Sequence, residues 1–217
     1  MVVIKAKGVL FDMDGTLVDT TACVEKAWRD KAVKHGVDVE TVAKYVHGRP
    51  TVDTLRAHFP AECHTVEHAQ EFEAVFVETR EGVRAVPGAH AAVEAVGEHQ
   101  WAIVTAASGM WARKRLAQMD FPPPPHLVAA EDVALGKPDP EGYLRGARAL
   151  GLDPAEVVVF EDSPYGVMAA AAAGATVVAL LTSTARARLE EAGAHYIVGD
   201  FRDVAITSHG DHISVVV

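Results

Sequence analysis

Short, nearly continuous apolar segments constrain the fold of this chain more than any other feature. Six of them are candidate strands: GVLFD (8–12), WAIVT (101–105), LVAA (127–130), VVVFED (157–162), TVVAL (176–180) and HYIV (195–198). Continuous rather than alternating apolarity indicates strands that are buried on both faces, as in a parallel sheet. Helical patterns lie between these segments, so we predict an α/β fold with a doubly wound parallel sheet.

The segments between the strands carry the periodicity and the end signals of helices. Ala112, Leu116 and Met119 recur at i, i+4 and i+7 behind WAIVT, which places them on one helix face. The basic residues 113–115 of the same helix are expected on its solvent-exposed face. After VVVFED, the Ser-Pro pair at residues 163–164 is a typical helix start, with serine as cap and proline in the first turn.

The segment that follows the first strand interrupts this alternation, because it contains no convincing strand. Residues 24–36 have the pattern of an amphipathic helix, and EHAQEFEAVFVETREG at residues 67–82 has the pattern of another. The sequence Val86-Pro87-Gly88 then suits a return to the strand and helix alternation. We therefore predict a helical insertion between the first strand and the rest of the sheet.

Size, charge and cysteine content limit the partners and the compartment. A chain of 217 residues suits one large or two unequal domains. Its net charge of −10 argues against a general binder of nucleic acids or anionic membranes, although a local cation can reverse the field of one cleft. Cys23 and Cys63 are too few for a disulfide framework. No 18-residue apolar stretch occurs and the N-terminus is strand-like, so we expect a cytoplasmic protein.

Polar side chains follow several of the predicted strands directly. They are Asp12 and Asp14 after GVLF, Thr105 at the end of WAIVT, Lys137 in LGKPDP, and Glu161 with Asp162 after VVVF. In open α/β sheets, this carboxyl edge is where ligands bind. Mg²⁺, a hard cation that prefers oxygen ligands, would relieve the repulsion among Asp12, Asp14 and Asp162. Carboxylates, a hydroxyl and an ammonium at one edge therefore indicate phosphoryl transfer.

The two aspartates behind the first strand suit different steps of such a reaction. Asp12 would attack phosphorus as the nucleophile, and Asp14 would protonate the leaving alcohol and then take a proton from the attacking water. Thr105 and Lys137 would bind and neutralise the phosphate. The Gly-Thr pair at residues 15–16 suits a sharp chain exit, with the threonine hydroxyl bonding back to hold that turn.

These residues resemble the motifs of a known superfamily. The segment DMDGTLVD at residues 12–19 resembles the first motif of the haloacid dehalogenase (HAD) superfamily of phosphatases. Thr105 matches the second motif, Lys137 the third, and EDSPYG at residues 161–166 the acidic fourth. The matches follow one another in order along nearly the whole chain. The resemblance implies a phosphatase with a Rossmann-like core.

The resemblance also implies how the chain is divided into domains. In the superfamily, an insertion directly after the first motif forms a helical cap of the C1 type over the active site. Residues 19–82 would be this cap, and residues 1–18 and 83–217 would form the catalytic core. We expect a monomer, because a cap of this size can close its own active site.

The metal ligands are a further implication of the resemblance. The family pattern assigns Mg²⁺ to the Asp12 carboxylate, the backbone carbonyl of Asp14, and Asp162, with Glu161 close by. The segments QWAIVTAAS and VVVFEDSPYGVMAA look most like the group of glycerol-phosphate and 2-deoxyglucose-6-phosphate phosphatases. That likeness implies hydrolysis of a small polyol or sugar phosphate through an aspartyl-phosphate.

Four residues are expected to bind the substrate. Thr16 and Ala106 would lie near the phosphate. The segment VHGRPT at residues 46–51 resembles a cap loop that reaches toward the substrate in relatives. His47 and Arg49 are therefore candidates for contacts with sugar hydroxyls, or with a second phosphate in the case of Arg49.

Two other functions are compatible with the sequence. A sugar phosphomutase of the β-phosphoglucomutase type would share the scaffold, but such enzymes often carry a small aliphatic residue where Thr16 stands. That difference favours a phosphatase. A phosphate-sensing domain without turnover is disfavoured, because every catalytic position of the motifs is filled.

Overall fold

The structure is a computed structural model that describes residues 1–43, 45–46, 49–97 and 100–217, without the side chains of residues 75–77. Its strands are β1 (Val3–Ala6), β2 (Gly8–Phe11), β3 (Val18–Asp19), β4 (Arg84–Ala85), β5 (Trp101–Val104), β6 (Leu127–Val128), β7 (Val157–Glu161), β8 (Thr176–Leu180), β9 (Tyr196–Val198), β10 (Ala205–Ser208) and β11 (Ile213–Val216). Its helices are α1 (Thr21–His35), α2 (Val39–Ala43), α3 (Thr51–His58), α4 (Val66–Val77), α5 (Ala89–Val96), α6 (Gly109–Gln118), α7 (Glu141–Ala149), α8 (Pro164–Ala172) and α9 (Arg186–Glu191).

A parallel sheet with the strand order β6–β5–β2–β7–β8–β9 lies at the centre of the described residues. Counted along the chain, this is the Rossmann order of a doubly wound sheet. The strand order reverses between β2 and β7, and the crevice at such a reversal is where these sheets bind ligands. The predicted α/β class is confirmed, and each of the six apolar segments supplies one strand of this sheet.

Burial on both faces explains why these strands are apolar throughout. Along β2, Val9 and Phe11 pack into one apolar cluster and Leu10 packs into the cluster on the opposite face. The ring of Phe11 stacks on that of Phe160 in β7, with centroids 5.4 Å apart. Truncating such a core phenylalanine to alanine costs about 3–5 kcal/mol of stability. This packing fixes the neighbouring ends of β2 and β7, from which the site is built.

Helices α1 to α4 form the insertion that was predicted after the first strand. Helix α1 is followed by Gly36, whose φ of 66° is the left-handed conformation that glycine favours at a helix end. Helix α4 ends at Val77, earlier than the pattern indicated. At the two ends of the insertion, β3 and β4 pair antiparallel, with Asp19 opposite Arg84. The exact domain bounds, residues 19–82 for the cap, stay a prediction.

A second, antiparallel sheet with the order β1–β11–β10 was not predicted. Its strands pair through residues such as Val3 with Val216 and Ala205 with Val216. The turn between β10 and β11 includes Gly210, whose φ is 90°. Among the helices that the structure describes, none has the length and apolarity needed to cross a membrane.

The expectation that residues 113–115 lie on a solvent-exposed helix face is wrong for Arg115. Its side chain is completely buried, whereas Arg113 is exposed. The Nη1 atom of Arg115 donates to the carbonyl oxygen of Thr79 at 2.8 Å and to Oε1 of Gln118 at 2.9 Å. This side of α6 faces the end of the helical insertion, which the periodicity of α6 by itself does not reveal.

Candidate active site

The end of β2 places Asp12 at the carboxyl edge of the sheet. The amide of Asp12 donates to the carbonyl of Phe160 at 3.0 Å, which extends the pairing with β7 beyond the strand. Asp12 is 5% exposed. The chain then turns at Gly15, whose φ is 89° and where a Cβ atom would overlap the Asp162 carboxylate. The predicted sharp exit therefore requires glycine for its backbone conformation and for its close approach to Asp162.

Glu161, the last residue of β7, is completely buried and has hydrogen bonds to both carboxylate oxygens. Its Oε1 accepts from Lys137 Nζ at 2.6 Å and from the Tyr143 hydroxyl at 2.9 Å. Its Oε2 accepts from the amides of Asp162 and Ser163 and from the Ser163 hydroxyl. Burial favours the protonated acid, but the charge of Lys137 and these donors outweigh it and lower the pKa of Glu161. Glu161 is therefore an ionised anchor.

Lys137 lies between two carboxylates at the centre of the site. Its Nζ atom is 2.6 Å from Asp12 Oδ1 and 2.6 Å from Glu161 Oε1, and the residue is 8% exposed. Burial acts to lower the pKa of the ammonium, but the charges of Asp12 and Glu161 raise it well above its usual range. Lys137 is therefore a permanent cation that fixes the position of Oδ1 of Asp12.

Asp14 and Thr105 lie at the same edge of the sheet as Asp12. Asp14 Oδ1 accepts a hydrogen bond from the Thr20 hydroxyl at 2.7 Å. Burial raises the pKa of Asp12 to about 7 and that of Asp14 to about 6. Thr105 follows β5, is 6% exposed, and its hydroxyl oxygen accepts from the amide of Ala107 at 3.1 Å. The pKa of Asp14 suits a group that gives and takes a proton near neutral pH.

Asp162 is held by two hydroxyl groups. Its Oδ1 accepts from Thr16 at 3.1 Å, and its Oδ2 accepts from Ser183. The sequence predicted that the Thr16 hydroxyl bonds back into its own turn. In the structure it donates to Asp162 instead. Thr16 is completely buried and is not among the described residues that line the cleft over this edge of the sheet. Burial, with the charges of Glu161 and Asp12, raises the pKa of Asp162 well above its usual range.

Asp12, Glu161 and Asp162 form a buried group whose geometry fits a metal ion. One carboxylate oxygen from each of the three lies within 4.8 Å of the others. The donors are all oxygen, which suits a hard divalent cation better than a soft one. Lys137 contributes a single positive charge to this group of three carboxyls, and burial together with the charges of Glu161 and Asp12 raises the pKa of Asp162. The Asp14 side chain bonds Thr20 and lies outside the group.

A cleft of about 700 Å³, partly open to solvent, lies over this edge of the sheet. It is lined from the sheet side by Asp12, Asp14, Thr105, Ala106, Asp162 and Ser183, and from the insertion by Val46, Arg49, Thr51 and Glu73. The predicted residues of the strand ends are thus brought together, with Lys137 bonded to Asp12 beneath them. His47 lies outside the described residues.

Arg49 connects the insertion to the sheet side of the cleft. Its Nη1 donates to the Tyr45 hydroxyl at 2.6 Å. Its Cζ lies 4.1 Å from the ring centre of Tyr45 and 4.0 Å from that of Tyr165, which is in the first turn of α8. A guanidinium this close to two aromatic rings is stabilised by cation–π attraction. Its Nε atom is buried without a hydrogen-bond partner among the described atoms, so this end of Arg49 remains available as a donor.

Several residues of the site were not predicted. Ser183 follows β8, and the rule that polar residues after a strand build the site would have found it if applied to TVVAL. Thr20 and Tyr143 are each six positions after a motif residue, Asp14 and Lys137 respectively. Glu73 is in the middle of α4, among other acidic residues, where nothing in the sequence distinguishes it.

Comparison with known proteins places the chain in a family. A family model described as haloacid dehalogenase-like hydrolase matches residues 6–174. Hexitol phosphatase A of Escherichia coli is 42% identical over 192 residues, covering 86% of this chain and 88% of that protein. The 2-deoxyglucose-6-phosphate phosphatase 1 of Saccharomyces cerevisiae is 32% identical over 229 residues, covering 94% and 91%.

The fold also occurs in a solved phosphomutase. The crystal structure of β-phosphoglucomutase from Clostridium difficile superimposes with a TM-score of 0.77 at 21% identity, covering 90% of this chain and 91% of that one. At this identity the likeness concerns the fold alone. Because the family model matches most of the chain and the hexitol phosphatase is 42% identical, this chain belongs to the haloacid dehalogenase-like hydrolase family.

Proposed function

We propose that this chain is a Mg²⁺-dependent phosphomonoester hydrolase that acts on small polyol or sugar phosphates through an aspartyl-phosphate. The carrying observation is the buried ion pair in which Lys137 Nζ lies 2.6 Å from Asp12 Oδ1. By fixing one oxygen of Asp12, the pair leaves the other to attack phosphorus from the floor of the cleft. The names of the two phosphatase relatives support the substrate class.

The reaction has two displacements at phosphorus. In the first, Asp12 forms a bond to phosphorus while the bond to the alcohol oxygen breaks, and Asp14 gives that oxygen its proton. In the second, water attacks the aspartyl-phosphate and gives a proton to Asp14, which releases inorganic phosphate and restores Asp12. Thr105 and Ala106 bind phosphate oxygens, and Lys137 offsets their negative charge.

The acidic group supplies the metal site in this proposal. Asp12 and Asp162 would hold Mg²⁺ through carboxylate oxygens, and the family pattern adds the backbone carbonyl of Asp14. When bound, the ion would supply positive charge against the phosphate and help to orient it. Thr16 and Ser183 hold Asp162 in place. The oxygens of Glu161 already accept from Lys137 and other donors. Its main role beside the metal site is therefore to position Lys137.

The same proposal extends to domains, partners and compartment. Residues 19–82 act as a cap on a core of residues 1–18 and 83–217, and the protein works as a monomer because one chain lines its cleft from both sides. A net charge of −10 supports a small-molecule substrate rather than a nucleic acid or membrane partner. Cys23 and Cys63 are buried thiols rather than a disulfide pair, which suits the cytoplasm.

A panel of phosphomonoesters tests the function directly. Purified protein with Mg²⁺ is assayed for released phosphate, and kcat/KM is compared for hexitol phosphates, hexose phosphates, glycerol phosphate and phenyl phosphate. We expect polyol or sugar phosphates to exceed phenyl phosphate by at least about tenfold, and Asp12→Asn to be inactive on all of them. Release of phosphate from none of the substrates would contradict the proposal.

A sugar phosphomutase is the second candidate, since a β-phosphoglucomutase shares the fold. Incubation with a hexose 1-phosphate separates the two functions. Free phosphate supports hydrolysis, whereas an isomerised sugar phosphate without loss of phosphate supports the mutase. Turnover of either kind would exclude a purely phosphate-sensing domain.

A further inference from the structure

Glu73 is a buried carboxylate in the part of the cleft formed by the insertion. It lies on α4, is 4% exposed, and lines the same cleft as Asp12 and Asp14. A carboxylate is costly to bury unless its oxygens accept hydrogen bonds. A buried carboxylate beside the cleft therefore needs hydrogen-bond donors, and the protein supplies some of them.

Two hydroxyl groups hold the Glu73 carboxylate in position. Thr51 donates to Oε1 at 2.7 Å, and Ser108 donates to Oε2 at 2.5 Å. No lysine or arginine among the described residues forms an ion pair with Glu73. A carboxylate has about four acceptor sites. The Glu73 carboxylate therefore retains the capacity to accept a further hydrogen bond from a group in the cleft.

One donor to Glu73 adjoins the segment that would hold the phosphate, and the other belongs to the insertion. Ser108 caps α6 and directly follows the segment Thr105 to Ala107, which would hold the phosphate. Thr51 begins α3 in the insertion, close in sequence to Arg49. Glu73 and Asp14 both line the cleft. Glu73 and the group that protonates the leaving alcohol thus face the same volume.

We infer that Glu73 is a specificity-determining residue that accepts hydrogen bonds from hydroxyl groups of the leaving alcohol. This inference rests on the proposed phosphatase function and refines its substrate class. A neutral polyol offers O–H donors to the carboxylate, whereas a second phosphate would bring acceptors and negative charge toward it. Glu73 therefore selects monophosphates of neutral, polyhydroxylated alcohols over bisphosphates and over esters without hydroxyl groups.

A purely structural role for Glu73 makes a different prediction. The Ser108 bond joins the insertion to the sheet side of the cleft, so Glu73 could serve only to hold the cleft closed. Loss of such a latch would slow all substrates by the same factor. Loss of a hydroxyl acceptor slows only those substrates that carry hydroxyl groups.

The test compares Glu73→Gln with wild type on three substrates: glucitol 6-phosphate, phenyl phosphate and fructose 1,6-bisphosphate. We expect kcat/KM for glucitol 6-phosphate to fall by roughly 10- to 100-fold, because hydrogen bonds to a charged acceptor are lost. Phenyl phosphate should change by less than about threefold, and wild type should favour the monophosphate over the bisphosphate by at least about tenfold. In Glu73→Gln, the ratio of kcat/KM for glucitol 6-phosphate to that for fructose 1,6-bisphosphate should be smaller than in wild type. The matched control is Glu71→Gln, an exposed glutamate of the same helix, which should leave all three values unchanged.

A second variant separates recognition from folding. Glu73→Asp keeps the charge and shortens the side chain, so it should retain more of the preference for glucitol 6-phosphate over phenyl phosphate than Glu73→Gln does. An equal fall on both substrates, or an unchanged preference in Glu73→Gln, would overturn the role of Glu73 alone. Wild-type protein that hydrolyses phenyl phosphate but no polyol or sugar phosphate would overturn the proposed substrate class and the inference together.

Discussion

The ammonium of Lys137 and the carboxylate of Asp12 form an ion pair of 2.6 Å in which both side chains are less than a tenth exposed. The same ammonium contacts Glu161 at 2.6 Å, so a single cation fixes the ends of two neighbouring strands. Breaking a buried pair by removing one partner is far more damaging than losing a surface ion pair, because it leaves a buried charge without compensation. Lys137 is therefore a structural and a functional residue at once.

Lys137→Met should abolish measurable hydrolysis and lower the free energy of unfolding by about 3–5 kcal/mol. The variant removes the cation that holds Asp12 and leaves two buried carboxylates facing each other. Phosphate release and urea denaturation measure the two effects. As a matched control, Lys7→Met removes the solvent-exposed ion pair with Glu156 and should change neither quantity appreciably. Equal effects of the two substitutions would contradict the role assigned to Lys137.

Without divalent metal, the protein should be more stable at pH 5 than at pH 8. Burial raises the pKa of Asp12 to about 7 and of Asp14 to about 6, so the folded protein binds more protons than the unfolded chain between about pH 4 and 7. The contribution of these groups is therefore complete below their unfolded pKa and is lost as the pH rises through their folded pKa. Urea denaturation in chelator at several pH values measures this slope.

Asp14→Asn should flatten that dependence, because it removes one of the titrating groups. The surface carboxyl Asp200, whose pKa is lowered by its hydrogen bonds with Arg202, contributes with the opposite sign and only in more acidic solution. Asp200→Asn is therefore the control, and it should leave the slope between pH 5 and 8 intact. Stability that increases from pH 5 to pH 8 in chelator would be inconsistent with the raised pKa values.

The sequence predicted those parts of the structure that a local pattern of residues determines. The strands of the parallel sheet were found because burial on both faces leaves a continuous apolar segment, as in Val9, Leu10 and Phe11. The strand-end rule then brought Asp12 and Asp162 to one edge. Both results depend only on local pattern and on the topology of α/β sheets.

The remainder depends on contacts between distant segments, which a local pattern does not contain. In the sequence, Glu73 does not differ from the other acidic residues of its helix. Only the structure shows that Ser108, 35 positions away, donates a hydrogen bond to it. The sequence predicted a solvent-exposed Arg115, whereas the structure shows it bonded to the carbonyl oxygen of Thr79. The hairpin of β10 and β11 belongs to the separate sheet with β1, and its short strands lack the continuous apolar segments that marked the parallel sheet.

Metal binding should require deprotonated ligands and should strengthen as the pH rises. The pKa of Asp162 lies well above its usual range, because burial and the charges of Glu161 and Asp12 favour its protonated form, so Mg²⁺ has to displace a proton. Calorimetric titration should give tighter Mg²⁺ binding at pH 8 than at pH 6, with proton release. Chelation should abolish activity and added Mg²⁺ should restore it.

Asp162→Asn supplies the matched test of that site. It should weaken Mg²⁺ binding by at least about tenfold, while Asp211→Asn, on the exposed turn before β11, should have no effect. Binding that is indifferent to pH and to Asp162 would place the metal elsewhere.

Tyr143→Phe should lower the free energy of unfolding by about 1–3 kcal/mol and reduce kcat severalfold. The substitution keeps the buried ring but removes the hydroxyl that donates to Glu161 at 2.9 Å, which loosens the anchor of Lys137. Tyr196→Phe, at the half-buried first residue of β9, which is not among the described residues lining the cleft, is the control and should retain full activity. Unchanged kcat in Tyr143→Phe would show that Glu161 needs only Lys137 to hold its position.

The most direct measurement is a rapid acid quench of enzyme during turnover of a polyol phosphate, followed by proteolysis and mass spectrometry. The account predicts that the peptide carrying Asp12 gains the mass of one phosphoryl group, that the label lies on Asp12 rather than Asp14, and that Asp12→Asn shows none. Steady turnover with no label on that peptide, or with the label on Asp14, would contradict it.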